Sequence, residues 1–483
     1  MDCAITMRLY CHGLGDCLLL KLRKSDGSPF WMLIDCGIHS SSKGGTALVR
    51  EVVEDILSCT DRLDVVVGTH EHWDHISGFD QAEDLFARLE VGEVWFAWTE
   101  NPEDPLAQAF DKFKGDALAA LTGSALALAE PGANPAAAER LDSLFGFVFG
   151  AAGEKSRDAR EKLRALSASV RHLEPGSLVP LPPELDQFRI YVLGPSRDTK
   201  LFGLMDSVSD TYNVAPQSAN LVQSLANGLA IADGSLTPSA DPLAPFDSSV
   251  GLPLSDALDG NHDPSDPDVA FLDRHYAGPA SVSERLPPRY REGADQTWRR
   301  IDADWLGSAS ELAMQLDSRT NNTSLVLAIE LPSGKVLFFA ADAQIGNWKG
   351  WAETSFAREG AGTVSAADLL ARTVFYKVGH HGSRNATRGP GGLEAMTSPD
   401  LTAFIPTDQV MAKKVGWSDI PARQLLMRLQ EKTKGRIVQS DEAWIQAGAP
   451  APGGGQAQWF SSIKLGKSKV DPGRGLYVEL SIE

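Results

Sequence analysis

Three imidazoles and a carboxylate, those of His70, His72, Asp74 and His75, fall within six residues of one another in the run Thr69-His70-Glu71-His72-Trp73-Asp74-His75. The run begins where the apolar segment Val65-Val66-Val67 ends. In an extended chain alternate residues share a face, so His70 and His72 can aim their rings at one ion, and Asp74 and His75, in the turn that follows, can face a second. Two divalent cations roughly 3.5–4 Å apart share a water and acidify it until hydroxide forms near neutral pH; the chemistry implied is hydrolysis. A lone histidine is more often a satisfied core or surface residue. Four ligand-type residues packed so densely behind a strand reverse that expectation.

Two further pieces lie far downstream, each again behind an apolar run. Val336-Leu337-Phe338-Phe339-Ala340-Ala341 ends in Asp342, a carboxylate suited to bridging two cations, and Val374-Phe375-Tyr376-Lys377-Val378-Gly379 ends in His380-His381-Gly382-Ser383. Asp74 and Asp342 are the catalytic candidates, because losing either removes the shared hydroxide as well as a ligand. Lys377, with Ser383 or Asn385, is placed to touch substrate oxygens. The imidazole-rich set suits Zn²⁺, and its carboxylates also admit Mn²⁺.

Short strands are expected at residues 5–11, 17–22, 30–35 and 63–69, with a helix at about 46–57 and a further buried strand at 94–98. The alanine- and charge-rich stretch 104–170 reads as helices. A strand at 188–193 follows, and then about 195–320 is dense in Pro, Gly, Ser and Asp. That stretch is too long for a plain loop in a compact domain and is expected to lie as a lid over the cleft. Regular structure resumes with strands at 323–331, 335–340, 373–378 and 401–405, a helix at 421–431 and closing strands near 456–465 and 476–482. The organisation expected is therefore an α/β domain in two halves, 1–195 (with a helical insertion at about 101–172) and 321–483, separated by an insertion at 196–320.

The chain has 483 residues, enough for one large elaborated domain or two ordinary ones, and a net charge of −19. The acidity opposes sequence-independent binding to long nucleic acid. One local cluster of cations, Lys413, Lys414, Arg423, Arg428, Lys432, Lys434 and Arg436, reads first as a solvated helix face. No apolar run approaches the length of a membrane span, and no secretory leader pattern is present, so a cytoplasmic protein without a membrane partner is expected. The five cysteines, Cys3, Cys11, Cys17, Cys36 and Cys59, form no CxxC pair and read as reduced, mostly buried thiols.

These motifs, in this order, resemble the metallo-β-lactamase superfamily, most of all the hydrolase domain of ComEC-type competence proteins and their soluble relatives. The resemblance rests on Gly13-Leu14-Gly15-Asp16-Cys17, Leu33-Ile34-Asp35-Cys36-Gly37, the complete His-x-His-x-Asp-His run, Asn322-Thr323-Ser324-Leu325-Val326-Leu327, and the Lys377-Val378-Gly379-His380-His381-Gly382-Ser383 element. It covers roughly residues 5–100, 175–196 and 320–440. The resemblance implies an αββα sandwich with two large insertions and a dinuclear site at one edge of its sheets. By it, His70 and His72 hold the first metal, Asp74, His75 and a motif histidine the second, and Asp342 bridges. His380, first after its strand, is expected to be that histidine, with His381 the alternative. Asp35, Asn322 and Ser383 would support the ligands from behind. Three departures stand out: no histidine adjoins Asn321 or Asn322, so the first metal's third ligand is absent or comes from His172, His262 or His275. Ala341 stands where the family has Gly, and Gly416-Trp417-Ser418-Asp419-Ile420-Pro421 stands where it has Gly-His-Pro.

The function expected is a metal-dependent phosphodiesterase or nuclease acting on single-stranded or short nucleic acid or a nucleotide. The alternatives are a peptide, ester or lactone hydrolase using the same hydroxide, or a non-enzymatic, metal-stabilised protein that binds a protein partner through its insertions.

Overall fold

The computed structural model describes residues 4–42, 44–128, 154–202, 316–358, 362–414, 417, 419–451, 459 and 462–483. The chain divides into two compact units, one of residues 1–114, 143–218 and 313–483 and another of 115–142 and 219–312. The expected lid at 196–320 lies almost wholly outside the described residues, and so do His262, His275 and, of the Gly416–Pro421 departure, Gly416 and Ser418. Among the described residues no helix is long and apolar enough to cross a membrane.

The first six strands are β1 (Ile5–Tyr10), β2 (Cys17–Arg23), β3 (Pro29–Cys36), β4 (Arg62–Val67), β5 (Glu90–Ala97) and β6 (Val170–Leu173). After them come β7 (Arg189–Gly194), β8 (Val326–Glu330), β9 (Val336–Phe339), β10 (Ser355–Arg358), β11 (Gly362–Ser365), β12 (Thr373–Lys377), β13 (Thr402–Ile405) and β14 (Ile437–Gln439). β15 (Lys464–Lys467) and β16 (Gly475–Ile482) close the chain. The protein is mixed α/β. One sheet has eight strands in the order β15-β16-β1-β2-β3-β4-β5-β6, the other six in the order β14-β13-β12-β9-β8-β7. Both mix orientations: β3 to β6 run parallel to one another, and so do β9, β12, β13 and β14, with antiparallel strands completing each sheet.

Side-chain alternation explains why these strands read as nearly continuous apolar runs. Leu18, Leu20, Met32, Ile34, Val65, Val67 and Trp95 of the larger sheet share one core with Ile190, Val192, Leu327, Ile329, Leu337 and Phe339 of the smaller. Their neighbours Leu19, Leu33, Val66, Val94 and Phe96 turn the other way, onto the helix Gly45–Cys59 through Val49, Val52, Val53 and Ile56. Val326, Ala328, Val336 and Phe338 likewise pack on Trp348 and Trp351 of the helix Ile345–Trp351 and on Leu425 and Leu429 of the helix Arg423–Thr433. With both faces covered, every position of such a strand is apolar.

Several elements differ from expectation. Asp74 and His75 lie in the first turn of a helix, Trp73–Gln81, not in an irregular turn. The helical stretch 104–170 holds the helices Pro105–Leu128 and Glu154–Ala165 but ends in β6, an edge strand parallel to β5. Val170-Arg171-His172-Leu173 is too short and too charged for a period-2 signal. The hairpin β10–β11 and the three-residue β14 also carry too little alternation to be read.

Candidate metal centre

The ends of β3, β4, β9 and β12 deliver the acids and imidazoles to one place. β3 ends around Asp35, which takes a left-handed backbone (φ 57°) and accepts hydrogen bonds from the Thr69 amide (2.9 Å) and hydroxyl (2.7 Å). Its second oxygen also receives His75 Nδ1 at 2.8 Å. Asp35 thus ties the start of the histidine run to its end and leaves His75 Nε2 pointing inward, the support expected of it.

Two glycines let the backbone close around this helix start. A Cβ at Gly15 would lie 2.3 Å from the Gly37 carbonyl oxygen, and one at Gly37 would lie 2.4 Å from the Asp74 carbonyl carbon. Only the bare backbone fits, and the Asp16 amide donates to the Asp74 carbonyl at 3.0 Å. Asp74 itself, near the helix N-terminus, sits where the backbone dipoles favour a negative charge.

On the opposite side, Asp342 follows Ala341, whose φ is 46°. Its amide donates to Ser324 Oγ (3.2 Å), and its Oδ1 accepts from the His380 amide (3.1 Å) and Lys377 Nζ (3.3 Å). Oδ2 is thereby turned toward His75 Nε2, 3.1 Å away, and His381 Nε2, 3.8 Å away. His381 Nε2 donates to Asp74 Oδ2 at 2.8 Å, and its Nδ1 donates to the Pro406 carbonyl at 2.7 Å. A carbonyl only accepts, so Nδ1 keeps its proton, and Nε2, which faces Asp74 and Asp342, is the nitrogen that would coordinate a cation once its own proton is lost.

Asp74, His75, Asp342 and His381 therefore offer ligand atoms that all lie within 4.8 Å of one another, and all four residues are buried. Asp74 Oδ1, His75 Nε2 and Asp342 Oδ2 have no hydrogen-bond partner. Buried polar atoms left this way are costly unless something else satisfies them, and a cation fits this donor set. The group is able to hold a divalent metal ion. Burial opposes charge on His75, but Asp342, Asp16 and Asp35 outweigh it and hold its pKa well above the usual value. Burial also opposes ionisation of Asp74, and its hydrogen bond with His381 and the charge on His75 outweigh that and lower its pKa.

His70 and His72 stand beside this group, with His70 Nε2 3.1 Å from His72 Nδ1. Burial, then the charges on His75 and His72, push the pKa of His70 well below the usual value, and burial brings that of His72 to about 4. Both rings are neutral at pH 7, the form that binds metal. Of the run, Asp74 and His75 belong to the group of four, while His70 and His72 lie beside it, the His70 ring centroid 4.2 Å from that of His75.

Several of the expected residues take other places than the sequence suggests. The histidine that joins the cluster is His381, not His380. Both residues have left-handed backbones (φ 44° and 54°), and the resulting kink turns the first ring toward Gln344 Nε2, 3.4 Å from its Nδ1, and toward Trp417. Lys377 is buried and ion-pairs with Asp16, donates to the Ala341 carbonyl at 2.9 Å and reaches Asp342. Burial disfavours its charge, yet Asp16 and Asp342 keep its pKa above the usual value. Its ammonium is thus committed to Asp16, Asp342 and the Ala341 carbonyl. Asn322 accepts from the Asn347 amide (2.9 Å) and donates to the Phe202 carbonyl (3.2 Å), which fastens the loop before β8. Ser383 is half-buried and donates to Asn385 at 2.7 Å. His172 lies on β6 against Phe96 and Arg164, and is not in the cluster. In the basic cluster Arg428 and Lys432 are engaged by Glu394, and Arg436 by backbone carbonyls.

Sequence reasoning missed two acids. Asp16 had a signal, the Gly13-Leu14-Gly15-Asp16 turn, but was read as part of a turn and not as a site residue. Asp317 had none: five residues before Asn322, it places Oδ1 3.8 Å from His72 Nε2 while Asn321 Nδ2 donates to its other oxygen at 3.1 Å. Burial, then Asp342 and Asp74, raise its pKa well above the usual value. No protein-family model matches this chain, and no curated protein matches it.

Proposed function

We propose that the protein is a metal-dependent hydrolase of the metallo-β-lactamase type, acting on a phosphodiester. The reading is carried by one observation: Asp74, His75, Asp342 and His381, from three distant parts of the chain, converge in a buried group in which Asp74 Oδ1, His75 Nε2 and Asp342 Oδ2 lack hydrogen bonds. Two sheets with a common core, helices outside them and ligand residues at strand ends agree with the fold that the sequence resemblance implies. His70, His72 and the cluster of four would hold two divalent cations, zinc or manganese. Bound there, these ions would supply Lewis acidity toward the scissile group and acidify water for attack.

The chain's own residues do the positioning. Asp35 and the Pro406 carbonyl fix the tautomers of His75 and His381. Lys377, Ser324 and the His380 amide fix Asp342, so little reorganisation is needed when charge develops at the reacting centre. Because Lys377 is committed to Asp16 and Asp342, no role on the substrate falls to it. The net charge of −19 favours the second reading, a carboxylic ester, lactone or peptide as substrate, over long nucleic acid.

The test is turnover of bis-nitrophenyl phosphate and of a nitrophenyl ester by the full chain, with and without chelator, alongside metal analysis. Phosphodiester turnover that chelator abolishes and zinc or manganese restores is the expected result. Ester turnover alone would establish the second reading, and bound metal without either turnover would leave a structural metal. Full activity in Asp74→Ala with metal still bound would place the hydrolytic centre elsewhere.

A further inference from the structure

Glu71, the spacer between His70 and His72, points away from the rings into a second buried charge cluster. Its carboxylate is held by Lys114 at 2.7 Å and by Arg160 at 2.9 Å. Both cations also face Glu100, Lys114 at 3.7 Å and Arg160 at 3.0 Å, and Arg160 reaches Asp111 at 3.2 Å. Lys114 lies on the helix Pro105–Leu128 and Arg160 on the helix Glu154–Ala165, both within the stretch that the sequence resemblance does not cover. Glu100 closes the β5 connection, in the short 3₁₀ turn Trp98–Glu100.

We infer that Lys114 and Arg160 are positioning residues for the His70 and His72 side of the metal centre, acting through Glu71. The inference rests on the proposed metal-binding reading. In the extended segment before the helix Trp73–Gln81, alternate side chains take opposite sides, so a clamp on Glu71 fixes the direction in which its two neighbours project. A charge-assisted, two-cation clamp holds a carboxylate far more rigidly than solvent does. Outer partners of this kind typically change metal affinity by about 10–100-fold when removed. The opposite side of the centre has its own supports, Pro406, Ser324 and Lys377, while Asp35 bridges Thr69 and His75, and among the described residues no hydrogen bond or ion pair joins any of these to Glu71, Lys114 or Arg160. The helical insertion is thus part of the metal site's architecture.

Cobalt(II) titration of the full chain, stripped of metal beforehand, tests this. The binding step that His70→Ala removes identifies the first site. In Arg160→Met that step is expected to weaken at least about tenfold and the other by less than about twofold, with Arg160→Lys recovering part of the loss. Glu71→Gln, which keeps the side chain's shape, should reproduce the selective loss, and it supplies the measurement should Arg160→Met not fold. Unchanged cobalt binding in folded Arg160→Met or Glu71→Gln, or an equal loss at both steps, would overturn the inference while leaving the metal-binding reading intact. Failure of the unsubstituted chain to bind cobalt at all would instead overturn that reading.

Discussion

Two buried charge clusters meet at the segment 69–75, and they are built on opposite rules. Around Glu71, the half-buried Glu71 and the buried Glu100 face two cations, the buried Lys114 and the half-buried Arg160, so the protein supplies its own counter-charge. Around Asp342, the acids Asp16, Asp35, Asp74 and Asp342 share a single lysine, Lys377, and the rest of the coordination falls to imidazoles. The backbones differ as well. Of the five described non-glycine residues with positive φ, four (Asp35, Ala341, His380 and His381) surround the second cluster and none lies in the first. The residue types differ as well, Glu, Lys and Arg in the first and mostly Asp and His in the second, and what further separates the two is a deficit of positive charge combined with stored backbone strain in the second.

The largest effect should come from the cluster that lacks counter-charge. Asp342→Ala removes the group that faces His75, His381 and Lys377 together, and turnover of the phosphodiester should fall by at least about 10³-fold, or roughly 4 kcal/mol in the barrier. The chain should remain folded by circular dichroism, and metal analysis should show fewer ions bound. Retained turnover would erase the distinction drawn between the clusters.

Lys114→Ala should act the other way round, on stability before chemistry. It leaves Glu71 and Glu100 with one cation between them, and breaking a buried ion pair in this way costs about 3 kcal/mol. A urea midpoint lowered accordingly is the expected result. Replacing Glu71, Glu100, Lys114 and Arg160 together by apolar residues of similar volume should recover much of that loss, since a buried network can be exchanged for packing only when no charge is left behind. Recovery of stability without recovery of metal affinity would separate the network's two roles.

The same network should appear in the acid limb of stability. Burial opposes ionisation of Glu71, but Lys114 and Arg160 outweigh it and bring its pKa to about 2 from the ordinary 4.5. A depressed carboxylate contributes stability that is complete above its unfolded value and is lost as pH falls toward the folded one. Metal-free protein should therefore lose on the order of 2 kcal/mol from this group between about pH 5 and 2. Glu71→Gln should show a flatter profile over that interval in denaturant titrations. Parallel profiles would mean that the clamp holds Glu71 no better than water does.

How much of this was legible in the sequence follows from which signals are local. The strands that bury both faces, β2 to β5 and β8 to β9, announce themselves as apolar runs, and the dense run from His70 to His75 needs no third dimension to be noticed. Asp342 was found because a carboxylate ending Val336-Leu337-Phe338-Phe339-Ala340-Ala341 is out of place in a solvated turn. His380 and His381 could not be told apart, because the choice is made by two left-handed residues in succession, a conformation their sequence does not favour. The ion network was invisible for a different reason: Glu71, Glu100, Lys114 and Arg160 are ordinary surface residue types spread over 90 positions, brought together only by the packing of helices on β5. Lys377 misled in the same way, its partner Asp16 lying at the other end of the chain.

The smallest expected effect isolates the strain term of the comparison. Ala341 adopts φ 46°, a left-handed conformation that costs an L-residue roughly 1–2 kcal/mol and a glycine almost nothing. Ala341→Gly relieves that cost but widens the unfolded chain's freedom, which takes back about 0.4–1 kcal/mol. The net should be a gain of up to about 1 kcal/mol in denaturant midpoint. Asp342 keeps its bonds to Ser324, Lys377 and the His380 amide, and the Ala341 carbonyl that receives Lys377 is unaltered in kind, so cobalt affinity should move less than about twofold. A stabilised protein with unchanged affinity would show that the strain at this position is incidental to the ligand set. Stabilisation accompanied by a clear loss of affinity would show instead that the strained turn is what holds Asp342 against His75 and His381, and the contrast with the unstrained network around Glu71 would then be functional and not merely architectural.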